Sequence, residues 1–190
     1  MLLCLLAGML YGIPVAFGQR LLPGDKALQL SGGTVDGLLL RSTLGEYRWF
    51  ASLSYSHTNR NRSRWIYGAT YMQKDYRYLT QRVPVSQYTA EAGYFLPLAA
   101  DRRRNVVLWS GLSAVLGYET VNGDQRNLCD GSMLKSEGAF LYGPALSVEL
   151  EGYLSDRVAL TLTVRERALF GSTVGCFHTL VGIGFRITIN

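Results

Sequence analysis

The chain has 190 residues, a net charge of +5, 48% hydrophobic residues and a mean hydropathy near zero. That length suits one domain. After the first twenty residues no apolar run approaches the roughly 18 residues of a helical membrane span, which excludes such a span there. Gly and Tyr are abundant, and the hydrophobicity is spread thinly rather than concentrated in blocks. This is the composition of many alternating strands.

Residues 1–18, MLLCLLAGMLYGIPVAFG, form a short apolar stretch ending in Ala16-Phe17-Gly18 before Gln19. A small-x-small ending after an apolar segment predicts a secretory signal peptide, although no Lys or Arg precedes the apolar part. Residues 19–190 are then a single exported domain. Cys4 is too close to the start to serve as a lipoprotein site. Without it, Cys129 and Cys176 remain, and export to an oxidising compartment makes them a candidate disulfide.

The mature part reads as segments of period two, the periodicity of a strand with one apolar face. The first, about Ala27 to Leu39, is weak and holds a Gly-Gly pair. The second, Tyr47 to Ser56, sets Tyr47, Trp49, Ala51, Leu53 and Tyr55 against Arg48 and three serines. The third runs from Arg64 to about Tyr78 and the fourth from Val83 to Leu96, with Tyr88, Ala90, Ala92, Tyr94 and Leu96 on one face. The fifth, Asn105 to Thr120, opposes Leu108, Leu112, Leu116 and Tyr118 to Trp109, Gly111, Ser113 and Glu119. The sixth, Ala139 to Leu154, and the seventh, Arg157 to Leu169, carry Glu149, Glu151, Arg165 and Arg167 on their polar faces. The eighth places Phe177, Ile183, Phe185, Ile187 and Ile189 opposite His178, Gly182, Gly184 and Arg186.

Eight long alternating strands predict an all-β fold: an eight-stranded, antiparallel, up-and-down barrel of the outer-membrane type. With the N-terminus in the periplasm, the turns near 57–63, 98–104 and 154–156 are periplasmic. The links near 40–46, 78–82, 121–137 and 170–174 face outside. The tightest turn, Ser155-Asp156, then falls inside and the longest loop, Val121 to Glu137, outside. Tyr47, Tyr118, Phe140, Tyr142, Phe170 and Phe177 mark the outer strand ends, and Tyr55, Trp65 and Tyr94 the inner ones, as two aromatic belts. Belts on the apolar face favour apolar-outward over a lipocalin-like barrel with its apolar face inward.

On that reading Glu91, Glu149, Glu151, Arg165, Arg167, Arg186 and His178 enter the lumen. Opposite charges in so narrow an interior are expected to pair as a salt-bridged plug, with the Glu pair of strand six beside the Arg pair of strand seven. A lipid hydrolase built on Ser113, His178 and Glu119 is the catalytic alternative, but the sequence has no nucleophile elbow or metal-ligand cluster. The chain is therefore expected to be no enzyme and to need no cofactor. The basic stretches His57 to Arg64 and Asp101 to Asn105 read as solvated turns beside anionic lipid or polymer, with no direct nucleic-acid contact expected.

Several stretches carry a family resemblance: Val35-Asp36-Gly37, Pro84 to Tyr94, Gly117 to Thr120, Gly152 to Arg167, and the tail from Phe177-His178-Thr179 to Ile187-Thr188-Ile189-Asn190. Together they resemble the TraO family of conjugal transfer proteins of Bacteroides-type conjugative transposons, from about Gln19 onward and most specifically after Gly152. The resemblance implies an exported component of a mating apparatus related to type IV secretion, at the outer membrane, with other transfer proteins as partners. It supplies no catalytic residues. The last residue, Asn190, departs from the terminal aromatic usual in outer-membrane barrels. A small adhesion or surface-protection barrel is the alternative outside conjugation.

Overall fold

The computed structural model of the protein describes residues 23–36, 48–78, 81–101, 105–121, 138–172 and 175–189. The N-terminal apolar segment, Tyr47, Cys129 and the 122–137 connection lie outside these residues. Eight strands form: β1 (Lys26–Val35), β2 (Arg48–Thr58), β3 (Arg64–Tyr78), β4 (Gln81–Ala100), β5 (Val106–Val121), β6 (Ala139–Tyr153), β7 (Val158–Ala168) and β8 (Phe177–Ile189). Each pairs antiparallel with the next, and β1 pairs with β8, so the sheet is a closed barrel. Closure leaves no strand edge to be satisfied by water or lipid.

The period-two pattern decides which way each side chain points, and the apolar face is the outer one. Leu30, Leu112 and Ile183 are each 62% exposed, whereas Glu151 and Arg167 are 0% exposed. That is the inverse of a water-soluble barrel, whose apolar side chains fill the inside. A band of exposed Leu, Ile, Val and Phe with charges within is stable only where the surrounding medium is hydrocarbon.

Following the paired residues from Lys26 through His57, Trp65, Tyr94, Leu112, Leu146, Glu166 and Thr179 leads back to β1 at Asp36 rather than Lys26. This ten-residue offset is the stagger of the barrel. With eight strands at ordinary spacings it sets a strand tilt of roughly 40° and a backbone radius of roughly 8 Å. At the β1–β8 seam Gly33 stands opposite Gly182. A Cβ on Gly33 would lie 2.1 Å from the Val181 carbonyl oxygen, and one on Gly182 2.6 Å from the Phe50 ring. Bare backbone there lets Phe50 lie across the inside of the seam.

Links 59–63, 101–105 and 154–157 gather at one rim, here the turn rim; the connections after β1, β3, β5 and β7 gather at the other, the loop rim. The shortest link, residues 79–80, belongs to the loop rim and not to the turn rim as expected, because β3 and β4 continue as a ladder to Tyr78↔Gln81. β4 also runs on to Ala100 past a bulge between Pro97 and Ala99, where proline supplies no ladder N–H. β1 stops at Val35, since Asp36 turns the chain with φ of 50°.

Aromatic side chains ring the outer wall at both ends. Trp65 and Tyr94 meet edge-on at 4.9 Å near the turn rim. Near the loop rim the contacts run Trp49–Tyr71 at 5.3 Å, Tyr71–Tyr88 at 5.1 Å and Tyr142–Phe170 at 5.8 Å. Such girdles sit where hydrocarbon gives way to head groups.

Candidate functional site

The lumen is packed with side chains, in layers that follow from the register. Nearest the turn rim, Arg64 enters from the first rung of β3 and is fully buried. Its guanidinium donates to Glu151 at 2.9 Å and to Glu149. Glu149 also accepts from Gln29 at 3.0 Å and from Thr163 at 3.3 Å. Arg186 donates to Glu151 at 3.0 Å and to Ser56 at 3.1 Å. The plane of Arg64 lies 4.2 Å above the Trp109 ring and 5.4 Å from that of Phe95. Phe95 and Trp109 belong to an apolar cluster with Ile66, Val107, Tyr153 and Ala159. Ion pairs and stacked rings together fill this end.

Midway, one nitrogen of Arg165 bridges both oxygens of Glu91, at 2.6 and 2.8 Å, while its Nε donates to Ser147 at 3.0 Å. Arg167 reaches across the barrel to Thr89 at 3.2 Å and lies 3.8 Å from Glu91. Further out, Glu119 accepts from Gln87 at 2.7 Å and Ser172 at 2.8 Å. The buried charges of the described strands are four glutamates (91, 119, 149 and 151) and four arginines (64, 165, 167 and 186). Their equality is what an interior shielded from water requires.

At the loop rim Asp36 joins three strands. Its carboxylate accepts from Lys74 at 2.8 Å, from His178 Nδ1 at 3.1 Å and from the Thr179 N–H at 2.9 Å. Burial alone would raise this carboxyl, but the bonds from His178, Lys74 and Thr179, with the Lys74 charge, hold it well below the usual carboxylate range. Beneath it Val35, Phe50, Met72 and Leu180 form an apolar layer.

With this geometry the comparisons with known proteins become informative. Residues 22–189 match the family described as conjugative transposon protein TraO. The chain belongs to the TraO family. Curated proteins give no match. Among solved structures, the TraO-family chain is similar to Ail, the attachment invasion locus protein of Yersinia pestis, in complex with the heparin analogue sucrose octasulfate. That likeness has a TM-score of 0.54 and 14% identity over 87% of this chain and 100% of Ail. It is also similar to Neisserial surface protein A, with a TM-score of 0.52 and 14% identity over 87% and 96% of the two chains. The N-terminal β-barrel domain of Pseudomonas aeruginosa OprF gives a TM-score of 0.51 and 9% identity over 88% and 98%. At such identities the likeness is one of fold, the outer-membrane-type barrel.

In this TraO-family barrel the six lumen carboxylates and arginines expected from sequence, Glu91 among them, fall into two separate groups. Glu149, Glu151 and Arg186 share the layer with Arg64; Arg165 and Arg167 share another with Glu91. Strands six and seven are neighbours as expected, but their register sets Glu149 opposite Thr163 and Glu151 opposite Thr161, so the two pairs do not meet. Ser113, His178 and Glu119 do not assemble as a triad. Ser113 and Glu119 are six residues apart on one strand, roughly 20 Å, and His178 turns to Asp36. Among the described residues no group of His, Cys, Asp or Glu forms a metal-holding cluster. Cys176 is exposed at the loop-rim end of β8; its candidate partner Cys129 lies outside the described residues.

Sequence reasoning missed Arg64, Gln29 and Asp36. Arg64 was legible as the first polar-parity position of β3, one rung before Ile66. Asp36 was not, because a positive φ turns it out of the alternation.

Proposed function

We propose that this TraO-family barrel is an outer-membrane component of a conjugative transfer apparatus, with a structural or docking role. The observation that carries the reading is a closed, apolar-outward barrel whose lumen is filled by paired charges, in a chain of a conjugative-transposon family. A backbone radius of roughly 8 Å, less the side chains inside it, leaves no room for a DNA duplex. DNA therefore takes another route, and the barrel contributes through its surfaces. The loop rim faces outward from the cell and the turn rim the periplasm, following the usual disposition of such barrels. Export by the N-terminal segment and association with a type IV secretion-like assembly complete the reading. Catalysis forms no part of it: His178 is committed to Asp36, and Glu119 to Gln87 and Ser172.

Deleting the gene in a donor strain, with a plasmid-borne copy as control, is expected to depress transfer frequency sharply and reversibly. The protein is expected in the outer-membrane fraction, as a band whose gel mobility shifts on boiling. Undiminished transfer would remove the conjugation role. Recovery as a soluble periplasmic protein would remove the membrane barrel.

A further inference from the structure

Among the described residues, Glu166 is the one charged side chain that the outer wall carries between the two aromatic belts; the other polar groups there are hydroxyls such as those of Thr34 and Thr179. Glu166, on β7, faces outward between Val164 and Ala168 and is exposed, as are Val164 and, across the ladder, Leu146. Its neighbours across the ladders are Leu146 on β6 and Thr179 on β8. The Thr179 hydroxyl donates to its carboxylate at 2.5 Å. Phe170 lies four residues further toward the loop rim, and Phe177 two residues beyond Thr179. Glu166 is therefore on the bilayer side of the outer belt. Beside it the β6–β7 ladder, continuous from Tyr153↔Ala159 to Ala145↔Arg167, breaks at Pro144 and resumes only as a single bridge, Tyr142↔Phe170.

A carboxylate has about four acceptor sites and Thr179 fills one. Hydrocarbon fills none, which is why an acid on a lipid-facing wall marks a functional contact. A second copy of the chain is a poor occupant. Among the described residues no Lys or Arg faces outward between the belts, and a two-fold contact centred here would bring a second Glu166 to the first. Charge complementarity asks for a base that the described residues do not place on the wall between the belts.

We propose that the β7–β8 wall centred on Glu166 and Thr179 is a lateral docking surface for a membrane-embedded segment of another transfer protein, one that presents a Lys or Arg at this depth. The inference rests on the conjugation reading and adds the surface and the chemistry of the partner to it. The broken rung at Pro144 gives that segment close approach to the backbone beside the carboxylate.

The test uses the full chain in a donor strain lacking its own copy, with E166L, E166Q and E166D beside wild type. All are expected in the outer membrane with the heat-dependent mobility shift of a folded barrel. E166L and E166Q are expected to lose transfer, and E166D to keep a measurable part of it. Wild-type transfer with E166L and E166Q, in a strain where deletion abolishes transfer, overturns the docking surface and leaves the conjugation reading standing. Undiminished transfer on deletion overturns both. The purified barrel in vesicles of lipopolysaccharide and phospholipid, with and without Mg2+, separates a lipid source. No Glu166-dependent effect of Mg2+ on the unfolding temperature is expected. A Mg2+-dependent rise that E166L loses assigns the carboxylate to a head-group cation and overturns the protein partner.

Discussion

Replacing Arg64 by alanine is expected to destabilise the barrel by about 3–5 kcal/mol, the cost of breaking a buried ion pair from one side. Arg64 is fully buried and neutralises Glu149 and Glu151 together. Without it Glu151 keeps Arg186, but Glu149 keeps only the neutral donors Gln29 and Thr163. The space between Glu149 and the Trp109 and Phe95 rings is emptied as well. Arg60, exposed on the adjoining turn, supplies the control: its alanine variant is expected to stay within about 0.5 kcal/mol of wild type. R64K should fall between, since lysine restores the charge but not the fork that reaches two carboxylates. Urea unfolding of the barrel refolded in vesicles, followed by tryptophan emission, measures all three. Equal midpoints for R64A and R60A would place Arg64 in solvent, contrary to the lumen described above.

The second large effect belongs to Asp36. D36A removes the acceptor shared by Lys74, His178 and the Thr179 N–H, which ties the end of β1 to β3 and β8. Hydrogen bonds to a charged group contribute about 1.5–3 kcal/mol each, and because these share one carboxylate the loss is expected to lie well below their sum. The effect carries a pH signature. The folded carboxyl is held far below its unfolded value of about 3.9. Its contribution is therefore complete above pH of about 4 and declines as the pH falls from there toward the folded value. Wild type and D36A should differ by a constant amount at neutral pH, and their unfolding midpoints should converge on acidification below that point. A difference that stayed unchanged down to strongly acidic pH, or that vanished at neutral pH, would show that the carboxylate does not hold the rim.

Much of the barrel was legible because one face of each strand must satisfy hydrocarbon and the other a crowded polar interior. That demand writes itself as parity. β3 and β6 have the expected starts, and β8 alternates along its whole length. Parity gives facing but not register. It therefore placed Glu149, Glu151, Arg165 and Arg167 in the lumen without showing that the strand offset sends the acids to Arg64 and Arg186 and the bases to Glu91. Arg64 was read with the basic turn because it adjoins Arg60 and Arg62. Its burial depends on β3 beginning one rung before the first aromatic. The full extent of β4 was hidden by Leu96 to Ala100, an apolar run with no alternation, whose strand geometry survives through a bulge. Glu166 kept strict parity on the wrong chemistry. Such local violations are where function is expected to override folding preference.

The membrane-facing account rests on the direction in which each face points, and the chain's three tryptophans report on it independently. Trp49 and Trp65 lie outward in the two belts at 42% and 43% exposure, and Trp109 is 0% exposed under Arg64. Variants retaining a single tryptophan, the other two replaced by phenylalanine, can be refolded into vesicles of lipid brominated on the acyl chain. Strong quenching of Trp49 and Trp65 with little quenching of Trp109 is the expected result. Quenching of Trp109 above the other two, or of none of the three, would contradict an apolar-outward barrel embedded in the bilayer.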